Sequence, residues 1–388
     1  MPATPRIAIV HDGLATSGGG GGAERVLDVL HGMFPEAPVF TTVYDAARMP
    51  RQMRGWDIRT SFLQRLPGGP ARYQWYLPLF PMAAEGLDLR GFDVVISCNH
   101  AVAKGVLVDS HAFHMCLCYS PLRYVWDMYQ EYLEVETLPG WQRALLPLLM
   151  HYLRTWDALS SARVDEYVAI SNYVRRRIEK YYRRSAAVLY PPVDVAGIGE
   201  ALKLAPPPAD YFLVVSRLVA YKRIDLVVDA FNRLGLPLVI IGDGKERRAL
   251  EARAGANIRF LGRQPDDVVR FHMATCRGFV FPGIEDFGIA PVEAMAAGSP
   301  VIALNRAGAA ETVRDGETGV LFERQTVEAL VEAVRTCEHT AFDRAVIRAH
   351  AARFSTERFK REFLALLARH IEGRRPGALE SEGEACPS

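Results

Sequence analysis

Short apolar segments alternate with helical patterns along almost the whole chain, and this alternation constrains the fold more than any other feature. The segments are rich in Val and Ile and lack the alternation of polar residues found in a strand with one face in water. Such segments are typical of parallel strands buried on both faces, with helices as crossover connections. The predicted strands are Arg6–Val10, Val39–Val43, Asp93–Ser97, Gly105–Val108, Phe113–Cys118, Glu166–Ile170, Ala187–Tyr190, Tyr211–Val215, Pro237–Ile241, Asn257–Leu261, Gly278–Pro282, Val301–Leu304 and Gly319–Phe322. The sequence therefore predicts an α/β protein with doubly wound parallel sheets.

A proline-rich segment divides this pattern into two halves. Residues 202–210 read LKLAPPPAD, which is typical of a stiff polar linker. We therefore predict two Rossmann-like domains, at 1–200 and 201–355, that face each other across a cleft. A helix at 356–372 is predicted to follow the last strand, and the Gly-, Glu- and Pro-rich residues 373–388 are predicted to be disordered. Doubly wound domains bind ligands at the carboxyl ends of their strands, so we expect a ligand between the two domains.

Charge and cysteine content bear on the partners and the compartment. The 388 residues include 46 Lys and Arg and 45 Asp and Glu, a net charge of +1, which gives no global attraction for nucleic acid. The six cysteines form no CxxC pair, so we predict free thiols in a reducing cytoplasm. The chain has no apolar run of about 18 residues and no basic, apolar leader pattern, so neither a membrane span nor a signal peptide is predicted.

Residues 285–293, EDFGIAPVE, place two carboxylates around the start of a predicted helix, Pro291–Ala297. A helix start offers free backbone N–H groups to an anion, and carboxylates accept hydrogen bonds from hydroxyl groups. Glu285 and Glu293 therefore suit a phosphate-linked polyol, that is, a nucleotide sugar. Two alternatives are a glycosidase acid and nucleophile pair, which needs carboxylates on opposite sides of a bond, and simple acids favoured by the helix dipole.

Two further loops suit phosphate binding. Residues 17–22, SGGGGG, follow the first predicted strand and precede a helix, which is the arrangement of a phosphate loop. Five glycines in a row also fit a flexible linker. With Asp45 as the acidic residue after the next strand, they would also fit a dinucleotide site. In the second half, Arg217 follows a predicted strand, and Lys222 is the first residue of the predicted helix Lys222–Leu234. A guanidinium fork and an ammonium together suit a diphosphate, and the alternative is two solvated surface cations.

Weaker signals follow two more strands of the second half. Gly242 begins a Gly-Asp-Gly turn, which would let the backbone approach a ligand closely. The alternative is an ordinary turn without a ligand. Arg263 follows the next strand and could flank a nucleobase. No DxD pair and no HExxH spacing occurs, so no metal site is predicted.

The first half also carries two aromatic segments and a basic helix. The segments are RYQWYLPLFPM at 72–82 and RYVWDMYQEY at 123–132, and the helix is Asn172–Arg184. Such groups suit a peripheral membrane surface or a lipid-linked acceptor. The alternative is an aromatic core beside a solvated helix face.

The chain resembles a family 4 retaining glycosyltransferase of the GT-B fold over about residues 5–372. EDFGIAPVE matches the family's pair of Glu residues separated by seven, and SRLVAYKRID at 216–225 matches its diphosphate motif. HDGL near the start, DIRTSFLQRLPG (57–68), SCNHAVAKGV (97–106), SPLRYVWD (120–127) and YPPVD (190–194) are similar to bacterial mannosyltransferases of O-antigen and exopolysaccharide synthesis.

The resemblance implies a role for each matching residue. Glu285 would bind the donor sugar, Glu293 the nucleotide ribose, and Arg217 and Lys222 the departing diphosphate. The remaining implied donor-site residues are Gly20, Gly21, Gly22, Ser216, Gly242, Arg263, Phe287, Gly288, Ile289 and Ala290. Tyr119 stands where relatives usually carry a His that lines the sugar site, and Tyr is a poor acid or base at neutral pH.

These features predict transfer of a hexose, mannose from GDP-mannose, with retention of configuration and without metal or other cofactor. The acceptor would be lipid-linked or a polysaccharide, at the inner face of the cytoplasmic membrane. A GT-B epimerase, a phosphorylase and a lectin-like glycan-binding protein are the alternatives.

Overall fold

The structure is a computed structural model, described here for residues 5–15, 21–130, 140–202 and 209–373. The chain forms two compact units. The first comprises residues 1–170, 174–189 and those from Lys360 on, and the second comprises 171–173 and 190–359. The chain thus passes to the second unit at Tyr190, whereas the boundary predicted from the sequence lies between residues 200 and 201. Most of the proposed linker and the predicted disordered tail lie outside the described residues.

The first unit contains a seven-stranded sheet with the order β3-β2-β1-β4-β5-β6-β7, and its strands pair in parallel. The strands are β1 Ile7–His11, β2 Val39–Thr41, β3 Ile58–Thr60, β4 Val94–Asn99, β5 Phe113–Cys118, β6 Glu166–Ala169 and β7 Ala187–Val188. The helices are α1 Gly22–Met33, α2 Phe80–Glu85, α3 Gly140–Ser160 and α4 Asn172–Tyr182. The strand order reverses between β1 and β4, so the loops that follow these two strands meet at one edge of the sheet.

The second unit contains a six-stranded parallel sheet with the order β10-β9-β8-β11-β12-β13. The strands are β8 Phe212–Val215, β9 Leu238–Ile241, β10 Ile258–Gly262, β11 Gly278–Phe281, β12 Val301–Leu304 and β13 Gly319–Phe322. The helices are α5 Val195–Leu202, α6 Ile224–Leu234, α7 Arg247–Arg253, α8 Asp266–Thr275, α9 Ile289–Ala296, α10 Ala309–Thr312, α11 Val327–His339, α12 Arg344–Ala351 and α13 Thr356–Gly373, which continues into the first unit. Here the order reverses between β8 and β11.

Burial of the strands explains why the sequence pattern was informative. The runs Leu238–Ile241 and Val301–Leu304 are buried at every position, and Phe231 of α6 packs into the same core. Helices cover both faces of such a sheet, so the strands need no polar face. The prediction of an α/β protein with doubly wound parallel sheets is confirmed.

The predicted strand Gly105–Val108 is wrong. The chain there forms a 3₁₀ turn, Ala103–Gly105, followed by a loop in which Val106 is buried and Leu107 is exposed. The turn places Lys104 in the interior, where its Nζ lies 2.8 Å from a carboxylate oxygen of Asp157 and donates to the carbonyl of the same residue. A buried charge must be paired, and this requirement fixes the backbone more strongly than the apolar residues that follow. The strand Ile58–Thr60 was missed because its alternate residues are partly exposed.

Candidate active site

The loop after β8 carries Arg217 and Lys222 and is fixed against the loop after β9. Ser216 N donates to Ile241 O at 3.0 Å, and Leu218 N donates to Asp243 O at 3.0 Å. Gly242 has φ +133°, and a Cβ there would lie within 1.8 Å of the carbonyl oxygen of Ser216. Glycine is thus required at 242 for packing of two backbones, and its contact with a ligand stays a prediction.

Lys222 lies in a 3₁₀ turn, Ala220–Lys222, and not in the helix that the sequence predicted to begin there. Arg223 follows with φ 54°, a left-handed conformation that interrupts the helical path, and α6 begins at Ile224. The Arg223 side chain hydrogen-bonds the Asp225 carboxylate in the first turn of α6. The ammonium of Lys222 is therefore presented from the loop at the carboxyl edge of the sheet.

The loop after β11 brings Glu285 to the same edge. A Cβ at Gly283 would lie 3.2 Å from the carbonyl oxygen of Lys222, so the two loops are in close contact. Gly308 N donates to Glu285 O at 2.9 Å, and a Cβ at Gly308 would overlap the backbone of Phe287. These approaches fix the backbone on both sides of Glu285.

Lys222 Nζ and Glu285 Oε1 form an ion pair at the point where the strand order reverses. Their side chains are only 15% and 21% exposed, so water screens the pair less than it screens a surface pair. An ammonium has three donors, and Lys222 can therefore keep Glu285 and also bind an anion. The sequence predicted both residues for the site but did not predict that they contact each other.

The segment after Glu285 ends in the short helix α9. Gly288 is its N-cap with φ 84°, and the helix begins at Ile289, two residues earlier than predicted. The first N–H groups of a helix have no partner within it, so Ile289 and Ala290 direct their N–H groups out of its start. Phe287 is buried, and Glu293 lies one turn into the helix, partly buried.

The remaining predicted residues of this unit lie around the same edge. Arg217 is exposed, and its guanidinium donates to the hydroxyl of Tyr221 at 2.8 Å. Arg263 is exposed directly after β10, next to Gly262, whose carbonyl accepts from Gly242 N at 2.8 Å.

Residues 203–354 match the family model described as glycosyl transferases group 1. The matched segment is less than half of the chain. It contains nearly all of the second unit and every predicted donor-site residue from Ser216 to Glu293, so the predicted family resemblance is confirmed on the residues that carried it.

Curated relatives match over part of their length. An uncharacterized glycosyltransferase of Methanocaldococcus jannaschii is 30% identical over 175 residues, 44% of this chain and 48% of the relative. A GDP-mannose-dependent α-(1-6)-phosphatidylinositol monomannoside mannosyltransferase of Mycobacterium tuberculosis is 29% identical over 225 residues, 50% of this chain and 56% of the relative. An Escherichia coli O-antigen chain mannosyltransferase is 32% identical over 133 residues, 32% of this chain and 36% of the relative. A Pseudomonas syringae glycogen synthase is 28% identical over 189 residues, 46% of this chain and 36% of the relative. The chain spans about half the length of the first of these relatives.

Solved structures show the fold of the whole chain. A crystal structure of Anabaena HepE in complex with UDP and glucose matches with a TM-score of 0.65 at 18% identity, covering 94% of this chain and 100% of that one. A sucrose-phosphate synthase from Thermosynechococcus elongatus matches with a TM-score of 0.66 at 17% identity, covering 95% of this chain and 100% of that one. These structural neighbours are GT-B glycosyltransferases, so the predicted GT-B fold is confirmed.

In the first unit, the glycine cluster is only partly described. Gly20 lies outside the described residues, Gly21 is the N-cap of α1, and Gly22 is the first residue of that helix. Glu24 is buried in the first turn, and a Cβ at Gly21 would lie 2.5 Å from its carboxylate oxygen Oε2. A carboxylate therefore already lies near the N-terminus of α1, where the sequence placed a diphosphate.

Tyr119 directly follows β5 and is buried, and next to it lies a pair of residues that the sequence reasoning missed. Asp12 is buried after β1, and its carboxylate accepts from the backbone N–H groups of four consecutive residues, 100–103, at 2.5–3.0 Å. The same carboxylate lies 2.9 Å from Nδ1 of His100. Neither Asp12 nor His100 was predicted as a site residue. Their positions directly after β1 and β4 could have revealed them, because those strands flank the reversal of strand order.

The described residues contain neither a metal-binding cluster nor a membrane-spanning helix. No group of three or more His, Cys, Asp or Glu residues there could hold a metal ion. Within the same ranges, every helix is too short or too polar to cross a bilayer. Metal-independent chemistry stays a prediction.

Proposed function

We propose that the protein is a retaining glycosyltransferase that moves a hexose, mannose from GDP-mannose, to a lipid-linked or polysaccharide acceptor in cell-surface glycan synthesis. One observation carries the proposal. The Lys222–Glu285 pair lies at the reversal of strand order in the second sheet, inside the segment that matches the family model of group 1 glycosyl transferases. A cation and a carboxylate side by side suit a ligand that is anionic at one end and a polyol at the other.

The chemistry assigned to the pair is electrostatic. In the proposed reaction the bond between the anomeric carbon and the diphosphate oxygen breaks, and its electron pair leaves with the diphosphate. The acceptor oxygen bonds to the same carbon on the face that the diphosphate leaves, and its proton passes to the departing phosphate. Lys222 and Arg217 stabilise the negative charge that develops on the leaving group, while Glu285 accepts hydrogen bonds from the sugar hydroxyls.

Mannose is proposed because two of the matching relatives are named mannosyltransferases, one of them GDP-mannose-dependent. The same comparisons support a second candidate, transfer of glucose to a glucan, because glycogen synthases match over a similar length and the HepE structure contains UDP and glucose.

A thermal-shift screen with GDP-mannose, UDP-glucose, ADP-glucose and dTDP-glucose tests the donor, because a ligand that binds only the folded state raises its melting temperature. We expect the largest shift with GDP-mannose. A larger shift with UDP- or ADP-glucose would select the second candidate, and no shift with any of the four would contradict the function. Release of free UDP from UDP-N-acetylglucosamine without an acceptor would indicate an epimerase, and a requirement for inorganic phosphate would indicate a phosphorylase.

A lipid-linked acceptor would bring the protein to a bilayer, and helix α3 supports this part of the proposal. Leu145, Leu148, Tyr152 and Leu159 are exposed on it, and their spacing places them on one face. An apolar exposed helix face is typical of a surface that enters the lipid interface.

We expect the protein to sediment with vesicles of bacterial phospholipid, and we expect Leu148→Glu to weaken this binding. Leu364→Glu, at an exposed leucine of α13, is the matched control. Equal sedimentation of both variants and the unmodified protein would contradict the assignment of this face.

A further inference from the structure

Tyr221 lies between the two cations that the proposed function assigns to the diphosphate. Its hydroxyl oxygen accepts a hydrogen bond from the guanidinium of Arg217 at 2.8 Å. The Lys222 Nζ atom lies 5.3 Å from the centroid of its ring, which is within the range of a cation–π contact. One tyrosine therefore contacts both cations, one through its oxygen and the other through its ring.

The backbone determines where this side chain lies. Tyr221 is the middle residue of the 3₁₀ turn Ala220–Lys222, which a 3.0 Å hydrogen bond from Lys222 N to Val219 O closes. Leu218, three residues earlier, is fully buried and ties the loop to the core of the second unit. Tyr221 itself is 36% exposed, so its side chain is held by the loop and is also open to a ligand.

The hydroxyl of Tyr221 has one hydrogen bond left to donate. A phenol has an O–H donor as well as acceptor lone pairs, whereas the guanidinium of Arg217 is a donor only. Arg217 therefore occupies a lone pair of the oxygen and not its proton. Within the described ranges of the chain, the hydroxyl has no protein acceptor for that proton. Water satisfies such an exposed donor in the absence of a ligand, and a ligand oxygen can replace the water.

The charges around the hydroxyl favour an anion as the group that accepts this proton. Glu285 offsets the charge of Lys222, but no carboxylate in the described part of the chain pairs with Arg217. A hydroxyl that accepts a hydrogen bond from a cation is polarised and becomes a stronger donor. An ionised acceptor also gives a hydrogen bond about twice as strong as a neutral one. A phosphate oxygen therefore suits the Tyr221 hydroxyl better than an uncharged hydroxyl group does.

We propose that Tyr221 is a third diphosphate-binding residue, whose hydroxyl donates a hydrogen bond to a phosphate oxygen while it accepts one from Arg217. That the diphosphate is part of a nucleotide sugar rests on the proposed function. The phenol keeps its proton throughout, so its effect is on binding of the diphosphate and not on proton transfer. The same contacts hold the two cations apart on either side of one ring.

The test uses the full chain and two kinds of probe, inorganic pyrophosphate for the diphosphate alone and GDP and UDP for the nucleotides of the two candidate functions. Isothermal titration calorimetry in metal-free buffer gives the dissociation constants. Tyr221→Phe removes the hydroxyl and keeps the ring, and we expect it to weaken binding of pyrophosphate and of the preferred nucleotide about fivefold to tenfold. Tyr211→Phe is the matched control, because Tyr211 precedes the same strand, β8, and its hydroxyl is also hydrogen-bonded. This control should bind both kinds of probe normally.

Two further measurements distinguish a direct contact from a structural role of Tyr221. In protein labelled with 3-fluorotyrosine, the fluorine NMR signal of Tyr221 is identified by its loss in Tyr221→Phe, and we expect pyrophosphate to shift it. In the Arg217→Ala background, Tyr221→Phe should still weaken pyrophosphate binding at least about twofold, because the hydroxyl keeps its own bond to the phosphate. Complete loss of the effect in that background would show that Tyr221 only holds Arg217 in place, and would overturn the direct contact. Thermal melting shows whether each variant is folded.

The proposal also fails if folded Tyr221→Phe binds the probes as well as the unmodified protein does, or if no probe shifts the Tyr221 signal. The thermal-shift screen with the four nucleotide sugars, run on the same preparations, tests the proposed function separately. Stabilisation by a nucleotide sugar with normal binding by Tyr221→Phe overturns only the role of Tyr221. Weaker pyrophosphate binding by Tyr221→Phe without stabilisation by any nucleotide sugar overturns only the donor assignment.

Discussion

Replacement of Lys222 by Ala tests the central electrostatic claim. The Lys222 ammonium contacts Glu285, and both side chains are largely enclosed. At an effective dielectric constant of about 20, an ammonium about 5 Å from one phosphate charge contributes about 3 kcal/mol. Loss of the ammonium also leaves the Glu285 carboxylate to repel the leaving diphosphate. We therefore expect turnover to fall at least about 100-fold, which corresponds to about 2.7 kcal/mol of barrier.

The assay is release of nucleoside diphosphate from the nucleotide sugar that most stabilises the protein. Lys222→Arg keeps the charge and should retain more activity than Lys222→Ala. Arg217→Ala is the comparison variant, because Arg217 is exposed and its guanidinium contacts Tyr221. Water screens an exposed cation more strongly, so we expect a loss below about tenfold for it. Circular dichroism and thermal melting show whether each variant is folded.

A double-mutant cycle decides whether the Lys222–Glu285 contact itself matters. Two groups that act together give non-additive effects, so Glu285→Gln should reduce turnover less in the Lys222→Ala background than in the unmodified protein. Near-normal turnover of folded Lys222→Ala would refute the reasoning, and strictly additive losses would show that the contact has no role.

Three further predictions concern stability, measured by urea unfolding. Burial lowers the pKa of His114 from 6.5 to about 4, so the unfolded chain binds a proton more readily, and His114 should make stability fall by roughly 3 kcal/mol as the pH drops from about 6.5 to about 4. A flat profile in that window would contradict this. His114→Gln should weaken the dependence, and part of it should remain because burial also lowers the pKa of His11. Lys104→Met leaves the buried Asp157 carboxylate without its counter-charge, although Trp126 and Tyr182 still donate to it, and should cost about 3–5 kcal/mol. Loss of one partner of an exposed pair would cost under about 1 kcal/mol. Gly242→Ala should cost about 1–3 kcal/mol because of its positive φ and its contact with a neighbouring backbone, whereas Gly32→Ala, inside α1 with open space around it, should be neutral or stabilising.

Strands of the second unit were predictable because one physical requirement dominates there. A strand buried on both faces has to be apolar throughout, so Leu238–Ile241 and Val301–Leu304 stand out in the sequence without other information. The carboxyl ends of such strands then predict where ligand-binding side chains lie, which is how Lys222 and Glu285 were selected. Their mutual contact was not predictable, because it depends on the close approach of Gly283 to the Lys222 backbone.

Predictions were weaker where a buried charge determines the local structure. The apolar run at 105–108 was predicted to be a strand. Instead, Lys104 lies in a 3₁₀ turn at Ala103–Gly105, where its side chain pairs with Asp157. Asp12 has the same effect on the loop at 100–103, because its carboxylate binds four consecutive backbone N–H groups. A sequence shows that such a residue is charged but does not show which distant group satisfies it.

The two sheets thus carry different chemistry at the same topological position. In the second unit, the loops that meet at the reversal of strand order present Lys222 beside a single carboxylate, and a second cation, Arg217, follows the same strand. In the first unit, the corresponding loops present Asp12 and His100, with the charge of Glu24 acting on His100. A glycine-rich loop before a helix would suggest phosphate binding in either unit, yet the carboxylate of Glu24 lies beside Gly21 at the start of α1. The local charge, more than the glycine pattern, therefore leads us to expect the diphosphate at the second unit.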